Sequence, residues 1–266
     1  MLTNAYSPKS NLSNEEFLEI KIKFLISKNQ KEYLEKLLLT NPAVGKKTKA
    51  VRFLVDDNLA LANISSACEK VKLLNKDAKD FYLEQFNIVC LINQDRKDEA
   101  SLYFDMLIER GLKNKFFEDK INFLLGITSK TTQKINDKNL LYFYLSQTTV
   151  DEFNYKPNKK TSKLIWQYLT SSNLINFSEN EIIEEIETIK LYESAAAEGT
   201  FNKEEIFNIY KRYLFNVNQL LNVSDVYKTL PKYKARALVY QSILLSENVE
   251  TKIRLIFLLK DLLSGS

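Results

Sequence analysis

Residues 93–111 read NQDRKDEASLYFDMLIERG. A short polar turn leads to a small residue, Ala100, then Phe104, Leu107 and Ile108 follow on one side, and Gly111 closes the segment. Apolar residues at that spacing line one face of an α-helix, and a glycine just past the last of them is a common C-terminal cap. Thirty-three residues upstream, Ala62-Asn-Ile-Ser-Ser-Ala67 stands in the same register and leads into ACEKVKLL, as Ala100 leads into ASLYFDML. An alanine beside such a turn lets the paired helix approach closely. The two segments therefore predict two helix–turn–helix units, with Ala67 and Ala100 buried where helices cross.

Helix signals continue in both directions. Ser13 with Glu16 forms a capping box that opens a helix to about Ile26, with Phe17, Ile20, Phe24 and Leu25 inward. A second helix ends where Asn41-Pro42 forbids continuation. Residues 47–61 carry Val51, Leu54, Val55, Asn58 and Leu59 at helical spacing, and 64–74 carry Ala67, Val71 and Leu74. Helices are expected at 78–93, 96–110 and 114–125, the last stopping at Gly126. From 127 to 139 the pattern dissolves into polar residues, a seam between two lobes. A short helix at 140–146 precedes the Pro157 loop. Further helices are expected at 161–170, 179–198 (opened by Ser178 with Glu181), 203–214 (opened by Asn202 with Glu205), 217–229, 231–246 and 248–263. This divides the chain into an N-terminal helical lobe, 1–126, an irregular connection with a short helix, 127–160, and a C-terminal helical lobe, 161–266.

Composition agrees with an all-α chain. Only 5 Gly and 4 Pro occur among 266 residues, whereas sheets and barrels consume both at their turns. Hydrophobic residues at 45% and charged residues at 27% are those of a globular protein. Lys and Arg (38) barely exceed Asp and Glu (34), too small an excess to imply a polyanion partner by itself. Cys68 and Cys90 lie in apolar helical stretches and are expected as buried free thiols, with a disulfide as the alternative. Two Cys and no His cannot fill the usual four-ligand zinc site. The first residues lack the apolar core of a secretory signal, and the apolar stretch 253–263 is too short to span a bilayer. A cytoplasmic location without membrane insertion is expected, or a periplasmic one should the chain belong to a longer exported protein.

The paired segments resemble the tetratricopeptide repeat, whose period is about 34 residues with alanine in the second helix. The resemblance covers roughly 46–126. It departs from the family where Ala62 and Asp95 stand for the usual turn glycine and where no proline ends either unit. It implies antiparallel helix pairs stacked as a right-handed α-solenoid in two lobes, with a concave surface that binds a peptide or another domain. An irregular helical bundle is the alternative arrangement.

Catalytic signals are scarce. Without histidine, Ser-His-Asp, Cys-His and Glu-x-x-His chemistry are excluded, and no phosphate loop or dinucleotide fingerprint occurs. Asp56-Asp57-Asn58 resembles the start of the aspartate-rich motif of isoprenoid synthases but lacks the third Asp, and reads as a solvated pair. Glu193-Ser194 resembles the Glu-Ser pair of lytic transglycosylases without their continuation, and reads as a helix-end glutamate. The acidic run Glu179 to Glu187 lies on a continuous helix, which cannot converge ligands on an ion as a loop does. No cofactor is expected.

Three basic clusters interleave with aromatics: Lys46, Lys47, Lys49 and Arg52; Lys156, Lys159, Lys160 and Lys163 beside Trp166 and Tyr168; and Lys228, Lys232, Lys234 and Arg236 with Tyr227 and Tyr233. Such pairs suit single-stranded RNA or DNA. The C-terminal helix carries apolar residues round well over half its circumference, more than a surface helix needs. Leu255, Ile256, Leu259 and Leu262 are therefore candidates for an interface with another protein or peptide, or a second copy of the chain. The expectation is a non-catalytic helical-repeat scaffold for protein–protein interaction, with a nucleic-acid-binding helical repeat ranked behind it.

Overall fold

The computed structural model describes residues 12–158, 160–174, 186–199 and 201–264. Among these, about 70% are helical and none is in a strand. The chain forms two compact units, 1–156 and 157–266.

The first unit begins with three helical hairpins: α1 (Asn14–Ser27) with α2 (Lys31–Thr40), α3 (Thr48–Ala60) with α4 (Ile64–Val71), and α5 (Phe81–Asn93) with α6 (Lys97–Glu109). Each pair is in contact. The turns are built alike. Asn29, Ala62 and Asp95 take left-handed backbone at φ 52°, 57° and 58°. After each, the next amide reaches back across the helix end, from Gln30 to the Leu25 carbonyl (2.8 Å), Asn63 to Asn58 (3.0 Å) and Arg96 to Leu91 (2.9 Å). This is the bond pattern that normally recruits glycine, and alanine at such a φ costs about 1 kcal/mol.

Ala67 and Ala100 are fully buried, as their register predicts, and the equivalent position in the first hairpin is the fully buried Leu34. Ala100→Leu is expected to overpack the α5–α6 crossing and to lower stability by roughly 1–3 kcal/mol in urea denaturation. An unchanged midpoint would show that the crossing has room to spare.

The Ser13–Glu16 capping box forms, with the Glu16 amide 3.2 Å from Ser13 Oγ and the Ser13 amide 3.0 Å from Glu16 Oε2. The buried face of α1 differs from the expected one. Ile22 and Leu25 are inside, while Ile20 and Phe24 are half exposed. The helix is rotated so that Lys21 shares the inner face, its amine lying 5.5 Å from the Phe17 ring centroid.

A second correction concerns the cysteines. Cys68 on α4 and Cys90 on α5 are joined by a disulfide and are not free thiols. Helical spacing sends both side chains inward from neighbouring hairpins, so the bond ties the second hairpin to the third.

Two further helices, α7 (Lys115–Leu124) and α8 (Leu140–Thr149), complete this unit. The helix-free stretch 127–139 belongs to it and is tied down on α7. The Asp119 carboxylate accepts from Thr131 Oγ1 (2.5 Å) and the Thr132 amide (2.8 Å), and Lys120 Nζ donates to the Thr132 carbonyl (2.5 Å). Lys120 is fully buried, and desolvation lowers its pKa.

The second unit contains α9 (Lys163–Ser171), α10 (Ile186–Ala197), α11 (Lys203–Lys211), the short α12 (Val217–Leu221) and α13 (Val223–Val226), α14 (Lys232–Leu245) and α15 (Val249–Ser264). One core cluster gathers Trp166, Ile189, Tyr192, Phe201, Ile206 and Tyr210. A second gathers Val223, Leu238, Val239, Ile243, Leu255 and Leu259 along the α14–α15 contact. Asn202 caps α11 by accepting from the Glu204 amide (3.0 Å). The Ser178–Glu181 capping box, Ile182 and Glu179 to Glu185 of the acidic run lie outside the described residues.

Candidate functional site

Helix α15 has three sectors. At 100° per residue, Leu255, Leu258, Leu259 and Leu262 share one side, and all four pack into the second core cluster. Glu250, Arg254 and Asp261 form a polar stripe beside it. On the remaining side, Val249 (70% exposed), Ile253 (50%), Ile256 (50%) and Phe257 (60%) form an apolar stripe open to solvent, ended toward the C-terminus of the helix by the exposed Lys260. The four interface candidates therefore separate: Leu255 and Leu259 are buried and Leu262 is half-buried against α14, while Ile256 lies on the outward stripe. Val249, Ile253 and Phe257 belong with Ile256, and the three-sector pattern of the helix was the available signal. Leu244 and Leu245, at the end of α14, are also exposed.

Beside the core of the same unit lies a cavity of about 850 Å³ between α9, α10 and α14. Its inner wall includes a buried ion pair that spacing could not reveal. Glu193, read from sequence as a helix-end glutamate, accepts from Arg236 Nε (2.9 Å) and from Arg236 Nη2 in a bidentate pair. The Tyr210 hydroxyl donates to the same carboxylate (2.6 Å), and Arg236 Nη1 donates to the Leu262 carbonyl (3.1 Å). The two charged side chains are only 4% and 8% exposed. Burial first, and then the Glu193 charge, push the Tyr210 hydroxyl well above the ordinary tyrosine range, so it serves as a neutral donor. Each nitrogen of the guanidinium and the Tyr210 hydroxyl has a carboxylate or carbonyl partner, so this network reads as a structural clamp.

The basic clusters fare differently from one another. Lys47 bonds to Glu15 (2.6 Å) and Glu19 (3.1 Å), Lys46 pairs with Asp77 (3.5 Å), and Arg52 pairs with Asp56 (3.5 Å) while lying 3.9 Å over the Tyr82 ring. Three of its four cations thus have a carboxylate partner within the unit, while Lys49 is exposed. In the second cluster, Lys156 closes the first unit while Lys160 and Lys163 belong to the second unit and are exposed. Lys159 lies outside the described residues. Trp166 and Tyr168 are buried, so neither ring is a surface platform for bases. In the third cluster, Arg236 is consumed by Glu193, and Lys228 lies 3.8 Å from Asp225. Folding nevertheless brings members of two clusters, Lys163 and Lys232, to one cavity together with Trp166 and Tyr233.

Among the described residues, no group of three or more His, Cys, Asp or Glu side chains is placed to hold a metal, and no helix is long and apolar enough to cross a membrane. Compared with family models, curated proteins and solved structures, the chain matches none of them.

Proposed function

We propose that the chain is a non-catalytic helical-repeat scaffold that binds another protein through the outward stripe of α15. The observation that carries this is the run of Val249, Ile253, Ile256 and Phe257, each at least half exposed on a helix whose opposite side is already packed. Contiguous apolar surface of this kind marks interaction sites more often than it decorates a monomer. The hairpins at 33-residue spacing support the tetratricopeptide-like part of the reading, because modules of this size stack into solenoids that serve as binding platforms. The disulfide between Cys68 and Cys90 favours an oxidising compartment over the cytoplasmic one expected from sequence.

Ile253→Glu with Phe257→Glu tests the function. Both side chains are exposed, so the fold should be kept and the circular dichroism unchanged. Half-burial of two such residues contributes on the order of 2 kcal/mol to association, which makes the expected loss of affinity about thirtyfold. Sedimentation would register it for self-association, and capture from the native source would register it for a separate partner. A parent chain that stays monomeric and captures the same proteins as the variant would refute the proposal.

A further inference from the structure

We infer that the Cys68–Cys90 disulfide is a thiol-exchange site, at which a low-molecular-weight thiol opens the bond while the first unit stays folded. Both cysteines line a surface pocket of about 380 Å³. Three helices build it. At the end of α4, Lys72 stands one turn beyond Cys68, and on α5 Asn87 and Gln94 stand one turn either side of Cys90. Helix α6 faces them with Tyr103 and Met106. The bond that joins α4 to α5 therefore lies where two walls of the pocket meet. The two cysteines are only 4% and 3% exposed, so a reagent has the pocket side as its route to the sulfurs. Charged groups at the rim are already paired, Lys72 with Glu69 (2.7 Å) and Arg96 with Glu99 (2.5 Å), and the exchange requires neither cation. Size selects the reagent, since a pocket of this volume admits a small organic molecule.

The chemistry balances with the small thiol as the only co-reactant. Its thiolate attacks the sulfur of one cysteine, the sulfur–sulfur bond breaks, and the other cysteine leaves as a thiolate that takes a proton from water. A second small thiolate then attacks its fellow's sulfur in the mixed disulfide. That releases the small-molecule disulfide and the remaining cysteine, which is protonated in turn. Two small thiols are oxidised and one protein disulfide is reduced. Run backward from the small-molecule disulfide, the same steps close the bond. Opening it unties α4 from α5 and leaves each hairpin's own turn intact. The contact between the second and third hairpins thus follows the balance of thiol to disulfide around the protein.

The test treats the oxidised full chain with glutathione at a series of urea concentrations below the unfolding transition. Samples are quenched with acid, and free thiols and adducts are read by mass spectrometry. Exchange through the pocket should be first order in glutathione, and its rate should change less than about twofold across the series, because the folded protein is what reacts. Exchange that waits for unfolding would instead climb with urea in step with the unfolded fraction. Chain purified in the reduced form enters the same series from the other side, with glutathione disulfide as the probe. Asn87→Trp and Gln94→Trp each place a bulky ring beside Cys90 from a position that is not buried. Each should slow exchange by roughly tenfold or more at unchanged circular dichroism. The inference is overturned if the bond stays closed until the protein unfolds, if the rate tracks the unfolded fraction, or if both folded variants react at the parent's rate. The urea series needs no variant, so it decides the matter even where a substitution disturbs the fold.

Discussion

Arg236→Met is expected to lower the stability of the second unit by about 3–5 kcal/mol, the largest single effect anticipated for this protein. The cost arises from what the substitution leaves behind. Glu193 would keep its charge in a site where its side chain is 8% exposed, with the Tyr210 hydroxyl, 2.6 Å away, as the one remaining donor among the described residues. The Leu262 carbonyl would also lose its partner. Leu262 lies in the last turn of α15, where carbonyls have no acceptor role within the helix, so Arg236 acts as a side-chain cap for that end. One guanidinium thus fastens α10, α14 and α15 together. Adding Glu193→Met to Arg236→Met removes the stranded carboxylate and should recover at least half of the loss, since an apolar pair of similar volume often replaces a buried ion pair without penalty. Thermal and urea denaturation of the parent, single and double variants would measure it. A single variant within about 1 kcal/mol of the parent would mean that water reaches Glu193 and that the clamp is loose.

Opening the Cys68–Cys90 bond is expected to cost about 3 kcal/mol in the first unit. The bond closes a loop across a sequence separation of 22, and the chain-entropy relation for a loop of that length gives this magnitude. The effect should appear as a lower urea midpoint after reduction, and equally in Cys68→Ser with Cys90→Ser. In the oxidised protein a non-reducing digest should yield one linked peptide pair. Two freely titrating thiols in protein isolated from its native compartment would show that the bond does not form there and would remove the argument for an oxidising location.

Much of the fold was legible because it is written in local signals. Ala67 and Ala100 marked two of the three hairpins, and Gly111 and Gly126 marked helix ends where they indeed adopt φ of 97° and 81°. The helices of the first hairpin were expected, but not as a third copy of the unit, and for a physical reason. Its crossing residue is Leu34 where the other two have alanine, so the alanine signal is missing, although the backbone at Asn29 repeats the same geometry. The inner face of α1 was misjudged because Ile20 and Phe24 are as apolar as the residues that won the core. The disulfide depended on proximity between helices, which spacing alone leaves open. The clamp and the cavity were the least legible. Glu193 and Arg236 lie 43 residues apart, and the cavity draws its lysines from three helices. Only the tertiary arrangement makes either one a unit.

The 33-residue spacing of the turns also bears on how the chain assembles. Each hairpin is closed by a turn of a few residues, so its two helices can find one another without waiting for distant chain, and topologies of that kind fold fast. Three such hairpins can form in parallel. The sulfurs of Cys68 and Cys90 lie on the facing helices of the second and third hairpins and meet when α4 packs on α5. Oxidation therefore reports contact between neighbouring hairpins, an event distinct from the closing of any one hairpin's own turn.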